Sequence, residues 1–176
     1  MTPALVDTWL GELGLATDER AERDGITSWD LSLDGRRRHD IRVTIILDPS
    51  LALLCWVHYA PPIGDSFRVS YRKFLRWNDE LPFVKFSIAE DGRPMLTAEL
   101  PVSTLDRDTV GLALARLVTV CDLLLDESIK WLFSGAKVAP VPKRRSRHEA
   151  FLARYAEHLG ELVAPAVETH QADTLE

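Results

Sequence analysis

The sequence predicts an α+β domain, on three observations. Two segments alternate apolar and polar residues with the period of a strand. Asp-Gly pairs at 34–35 and 91–92 mark reversals of the chain. Apolar residues at 3.6 spacing mark helices before, between and after the strands. With 176 residues, 46% hydrophobic and 27% charged, the chain can build one core with a tail.

The first helix is predicted over Pro3 to Leu15. Thr2 stands at its cap, proline suits its first turn, and Leu5, Val6, Trp9, Leu10 and Leu13 form its stripe. The charged stretch Thr17 to Asp24 reads as a surface crossing to Gly25. A strand from Ile26 to Leu33 turns Thr27, Trp29, Leu31 and Leu33 to one side, and Asp34-Gly35 predicts a hairpin. The next strand, Asp40 to Leu47, aligns Ile41, Val43, Ile45 and Leu47. The third, Leu51 to Tyr59, is apolar on both faces and belongs in the middle of the sheet.

A second helix covers Ser66 to Glu80, with Phe67, Tyr71, Phe74, Leu75 and Asn78 on one side, and Leu81-Pro82 ends it. Two strands follow, Phe83 to Ile88 and Met95 to Leu100, joined at Asp91-Gly92. A long helix from the cap Asp106 to Gly135 would run about 28 residues, roughly 42 Å. It is apolar on more than one face, and the surplus calls for a second covering, most simply another chain. That places a dimer interface at Leu114, Leu117, Val118, Cys121 and Leu125. Trp9, Leu13, Trp29 and Leu31 are the candidate partner-binding face.

Three units result: a domain over 1–135, a basic proline-containing linker over 136–147, and a C-terminal helix with a disordered tail over 148–176. Ser146 to Glu149 has the capping-box pattern. Phe151, Leu152, Tyr155, Leu159, Leu162 and Val163 make the last stripe, which Pro165 ends.

Net charge of −6 weighs against nucleic acid, which needs a basic face. The most apolar run, Val110 to Leu125, contains Arg116 and Asp122, so no membrane span is expected. Cys55 and Cys121 sit in apolar segments, as reduced thiols do in the cytoplasm, and no signal-peptide pattern precedes them. No catalytic motif is present. Cys55 and His58 fall on opposite faces of a strand and cannot share a metal. The histidines lack ligand spacing, and Asp122, Asp126 and Glu127 read as a solvated helix edge. No catalytic residue, cofactor or metal is therefore expected. Of the five tryptophans, Trp29, Trp56 and Trp131 read as core and Trp9 and Trp77 as lying near helix surfaces. Two alternatives stay open: a ligand pocket around Cys55, His58 and Tyr59, and a nucleic-acid contact through Arg144, Arg145 and Arg147.

Leu75-Arg76-Trp77-Asn78, Val84-Lys85-Phe86, Glu90-Asp91-Gly92, Ala98-Glu99-Leu100-Pro101 and Leu105-Asp106 resemble the YbjN family of bacterial sensory transduction regulators. The family often has a smaller apolar residue where Trp77 stands. The resemblance covers roughly residues 3–134. The element order resembles the type III secretion chaperone-like fold. The resemblance implies a non-catalytic, chaperone-like homodimer that binds other proteins as an adaptor or regulator, and it supplies no catalytic residues.

Overall fold

The computed structural model describes residues 1–63, 68–129, 144–160 and 162. Helix α1 (Pro3–Glu12) is followed by four strands, β1 (Glu19–Arg23), β2 (Ile26–Leu33), β3 (Ile41–Leu47) and β4 (Ala52–His58). Helix α2 (Arg68–Glu80), β5 (Lys85–Ile88), β6 (Pro94–Pro101) and a 3-10 turn at Val102–Thr104 come next. The chain then forms α3 (Arg107–Leu123), α4 (Leu125–Ile129) and α5 (Glu149–Arg154). The class is α+β. The start of the second helix at 64–67, Trp131, the end of the long helix at Gly135, the linker prolines and everything from Val163 onward lie outside the described residues.

The strands form one antiparallel sheet in the order β1-β2-β3-β4-β6-β5. Its helix-facing side carries the predicted alternations: Thr27, Trp29, Leu31 and Leu33, then Ile41, Val43, Ile45 and Leu47, are all buried. Strand β4 is central as expected, flanked by β3 and β6. Helix α3 lies against β4, β6 and α1, and α2 lies against β5.

Five local expectations are corrected. Residues 19–23 form an exposed edge strand, not a crossing. Such a strand owes its existence to its ladder with β2 and to the tight turn at Asp24 (φ 53°) and Gly25 (φ 79°), so apolar alternation could not reveal it. Asp34-Gly35 does not make a two-residue turn: a longer loop, 34–40, joins β2 to β3. Helix α1 stops at Glu12, because Leu15 N–H bonds back to Leu10 O (2.9 Å) and Gly14 N–H to Gly11 O (3.0 Å), with Gly14 at φ 71°. On α2, Leu75 is 69% exposed, whereas Trp77 is buried and packs on Phe74 and Phe86. The long helix breaks at Leu124 into α3 and α4. Its start is as predicted, with Asp106 and Thr109 forming a reciprocal capping box.

Candidate protein-docking site

The β2–β3 loop carries a network of polar contacts that reaches β4, α3, α4 and the C-terminal segment. Asp34 continues directly from the buried strand, and its side chain is 0% exposed. Its carboxylate accepts hydrogen bonds from the guanidinium of Arg144, from Arg147 Nε (2.9 Å) and from the backbone N–H groups of Arg147 (3.0 Å) and Asp40 (2.9 Å). Its own backbone N–H donates to His148 Nδ1 (2.9 Å), and its carbonyl accepts from Ser146 Oγ (3.1 Å). Asp40 accepts from both arginines, at 2.9 and 2.7 Å. Burial alone would raise the Asp34 carboxyl. The hydrogen bonds from Arg144, Arg147 and the two amides outweigh it and hold the group far below the usual carboxylate range.

The same loop grips the helical layer. Asp122, one residue from the end of α3, accepts from the backbone N–H groups of Arg36 (2.5 Å), Arg37 (3.2 Å) and Arg38 (2.8 Å). Arg37 binds Asp126 with both terminal nitrogens, at 2.8 and 2.5 Å. Arg38 donates to Tyr59 O at 2.9 Å with its guanidinium over the Tyr59 ring. Seven loop residues thus join β4, α3, α4 and the C-terminal segment. The expected solvated edge at Asp122 and Asp126 is a structural joint. The predicted capping box at 146–149 is not formed either: His148 occupies the cap without a side-chain bond, and the Ser146 hydroxyl accepts from the His148 N–H while donating to Asp34 O.

Beyond this polar latch, the C-terminal segment lays an apolar face on the domain. Phe151, Leu152, Tyr155, Leu159 and Leu162 are all buried and belong to the one core cluster. Tyr155 donates to Asp108 at 3.3 Å, and its ring lies over Gly111, where a Cβ would meet the hydroxyl at 2.1 Å. Glycine inside a helix costs about 1 kcal/mol relative to alanine. Here it opens a seat for an aromatic ring.

The sequence-predicted site residues divide accordingly. Leu114, Leu117, Val118 and Cys121 are 0% exposed within the single chain, and Leu125 is half-buried on α4. The surplus apolar surface of α3 is met by the sheet, α1 and the chain's own C-terminal segment. Trp29 and Leu31 are also fully buried, and Leu13 nearly so. Trp29 donates to Asp7 at 2.6 Å, and only Trp9 remains half-buried at the surface. Of the basic run, Arg144 and Arg147 are spent on Asp34 and Asp40.

Around the imagined ligand pocket, Cys55 is fully buried and its thiol is pushed up to about 12 by burial; Cys121 is likewise raised, to about 11. Neither is a nucleophile near neutral pH. Tyr59 is buried with its hydroxyl on Ser128, while His58 stacks edge-on against Trp56. Two cavities lie beside the C-terminal segment: one of about 510 Å³ is bordered by Arg36, Asp122, Leu123 and Leu152, and one of about 480 Å³ by Arg36, Arg145 and Leu152. No group of three potential metal ligands occurs among the described residues, and no helix among them is long and apolar enough to cross a membrane.

A family model described as "Putative bacterial sensory transduction regulator", YbjN, matches residues 2–130. The chain belongs to the YbjN family. The YbjN match takes in the sheet, α1 to α4 and the β2–β3 loop, and it stops before Arg144. The latch therefore joins the family domain to a segment outside it. No curated protein sequence matches the chain.

Proposed function

We propose that this YbjN protein is a non-catalytic regulator that works in the cytoplasm as a chaperone-like adaptor, by binding another protein. One observation carries the reading: an amphipathic segment from outside the family domain is seated on the face of α3, fixed by a buried carboxylate at one end and an aromatic seat along it. The arrangement resembles the helix-in-groove mode of protein recognition, with apolar anchors on α5 and just beyond it and charge fixing the register. Dimerisation through Leu114, Leu117, Val118 and Cys121 is not part of the proposal, since these side chains are already interior.

The test is reconstitution. Proteins co-purifying stoichiometrically with the tagged chain would be produced separately and titrated against it. Saturable one-to-one binding of a purified partner is the expected result. Turnover of any compound in a broad metabolite screen, with no partner reconstituted, would overturn the proposal.

A further inference from the structure

We infer that the α3 face under residues 144–162 is an exchangeable seat for a partner's amphipathic helix, and that the chain's own segment is its internal competitor. The occupant it fits has two arginines three residues apart, followed by large apolar residues on one face. This inference rests on the protein-binding reading above and names the surface and the partner class.

Three observations carry it. The family match ends at residue 130, so the occupant is an addition to a domain defined without it. The attachment is made of side chains: among the described residues, no backbone-to-backbone hydrogen bond links 144–160 to residues 1–129. The latch is asymmetric. With the segment seated, Asp34 is 0% exposed while Arg144 and Arg147, which cover it, are 40% and 52% exposed. On the domain side the carboxylate is held by the Asp40 N–H within its own loop, whereas the arginines, partly exposed, can return to water, so one arginine-headed segment can replace another. Gly111 adds selectivity, since its missing Cβ accepts the ring of Tyr155, or any aromatic at the same offset.

The occupant's recognition pattern is read from the segment itself: Arg144 and Arg147, then Phe151, Leu152, Tyr155, Leu159 and Leu162, all five buried. A partner helix of unrelated sequence that keeps these positions satisfies the same contacts.

The experiment uses the full chain with a protease site placed within residues 130–143, folded first and then cleaved, so that every residue stays present. Two fluorescent peptides are titrated by anisotropy: residues 144–162, and an unrelated helical sequence keeping only the two arginines and the apolar stripe. Both should bind the cleaved chain saturably, and bind the uncleaved chain at least tenfold more weakly. Glutamate in place of both arginines should weaken each peptide at least tenfold. Equal binding to cleaved and uncleaved chain, binding of the natural peptide alone, exchange of segments only between copies of this chain, or a cleaved segment that never leaves without unfolding the domain would each overturn the inference. A reconstituted partner that binds cleaved and uncleaved chain equally would remove this seat yet leave protein binding intact, which separates the two failures.

Discussion

Replacing Gly35 by alanine tests how the β2–β3 loop holds the helical layer. A Cβ at position 35 would stand 2.5 Å from both carboxylate oxygens of Asp122 and 2.7 Å from its Cγ. Ordinary contact begins near 3.4 Å, so the carboxylate must retreat by about 1 Å. Such a retreat breaks the cradle of three loop amides, whose bonds now measure 2.5, 3.2 and 2.8 Å. A hydrogen bond to a charged group is worth about 1.5–3 kcal/mol. The cradle lies at a partly exposed edge where water recovers some of the loss. A total cost of about 2 kcal/mol is therefore expected, well short of three full bonds. Gly35 is not in the left-handed region, so backbone strain does not confound the result.

Asp122→Ala should cost a similar amount by removing the same bonds, and the two substitutions should not add. In the Asp122→Ala background the clash is gone, and Gly35→Ala should be neutral or stabilise by about 0.4–1 kcal/mol through the unfolded chain. Urea unfolding followed by tryptophan fluorescence across the four proteins supplies the cycle. A Gly35→Ala penalty of the same size in both backgrounds would refute the reasoning, because the cost would then have nothing to do with Asp122.

Four further outcomes are expected. Asp34→Asn, which removes the charge both arginines bind, should lower stability by about 2–3 kcal/mol in chemical denaturation and speed hydrogen exchange in residues 149–160 before the sheet. Stability should also depend on pH through His148, whose pKa is lowered from 6.5 by burial and by Arg147 and Arg144, against the Asp34 charge. A lowered folded pKa gives stability that is complete above 6.5 and is lost as pH falls below it. His58 is also lowered, by burial and then Arg93, and acts in the same direction. The urea midpoint should thus fall between pH 7.5 and pH 5.5, less so in His148→Asn. Leu152→Ala should cost about 2–5 kcal/mol as a buried truncation, read by thermal unfolding. Asp7→Ala should cost about 1–3 kcal/mol by stranding the Trp29 indole N–H, with Asp7→Asn milder in the same assay.

Legibility in the sequence followed the physics of each element. Strands β2 and β3 were readable residue by residue, because a sheet with one buried face forces apolar residues onto every second position. The cap at Asp106 was readable for the same reason: its chemistry is local. Strand β1 was not, since an edge strand of Glu, Arg and Ala is defined by its neighbour's backbone rather than by its own side chains. Asp34 differs from its expectation because Asp-Gly ordinarily means a tight turn, and nothing nearby in sequence says that arginines 110 and 113 residues away will bury it. The excess of apolar residues on α3 calls for a second covering, which the sequence reading assigns to another chain. Periodicity cannot say which chain provides it, and here the covering comes from the same chain.

That last ambiguity is also the physical opening for regulation. A helix such as α3, apolar on both faces, is satisfied equally by a segment of its own chain or by a similar helix from elsewhere. The local contacts are the same, and the competition turns on effective concentration. Tethering through residues 130–143 favours the internal segment at rest. On the proposed exchange, a partner needs a better match to Asp34 and the Gly111 seat, or a condition that loosens the latch. Protonation of His148 is the proposed condition: an imidazolium no longer accepts from the Asp34 amide, and burial, Arg147 and Arg144 oppose its charge while the Asp34 carboxylate favours it. If the seat is exchangeable, lowering the pH toward 5.5 should raise the affinity of the arginine-headed peptide for the uncleaved chain more than for the cleaved one. An equal effect on both would mean that His148 does no more than stabilise the fold.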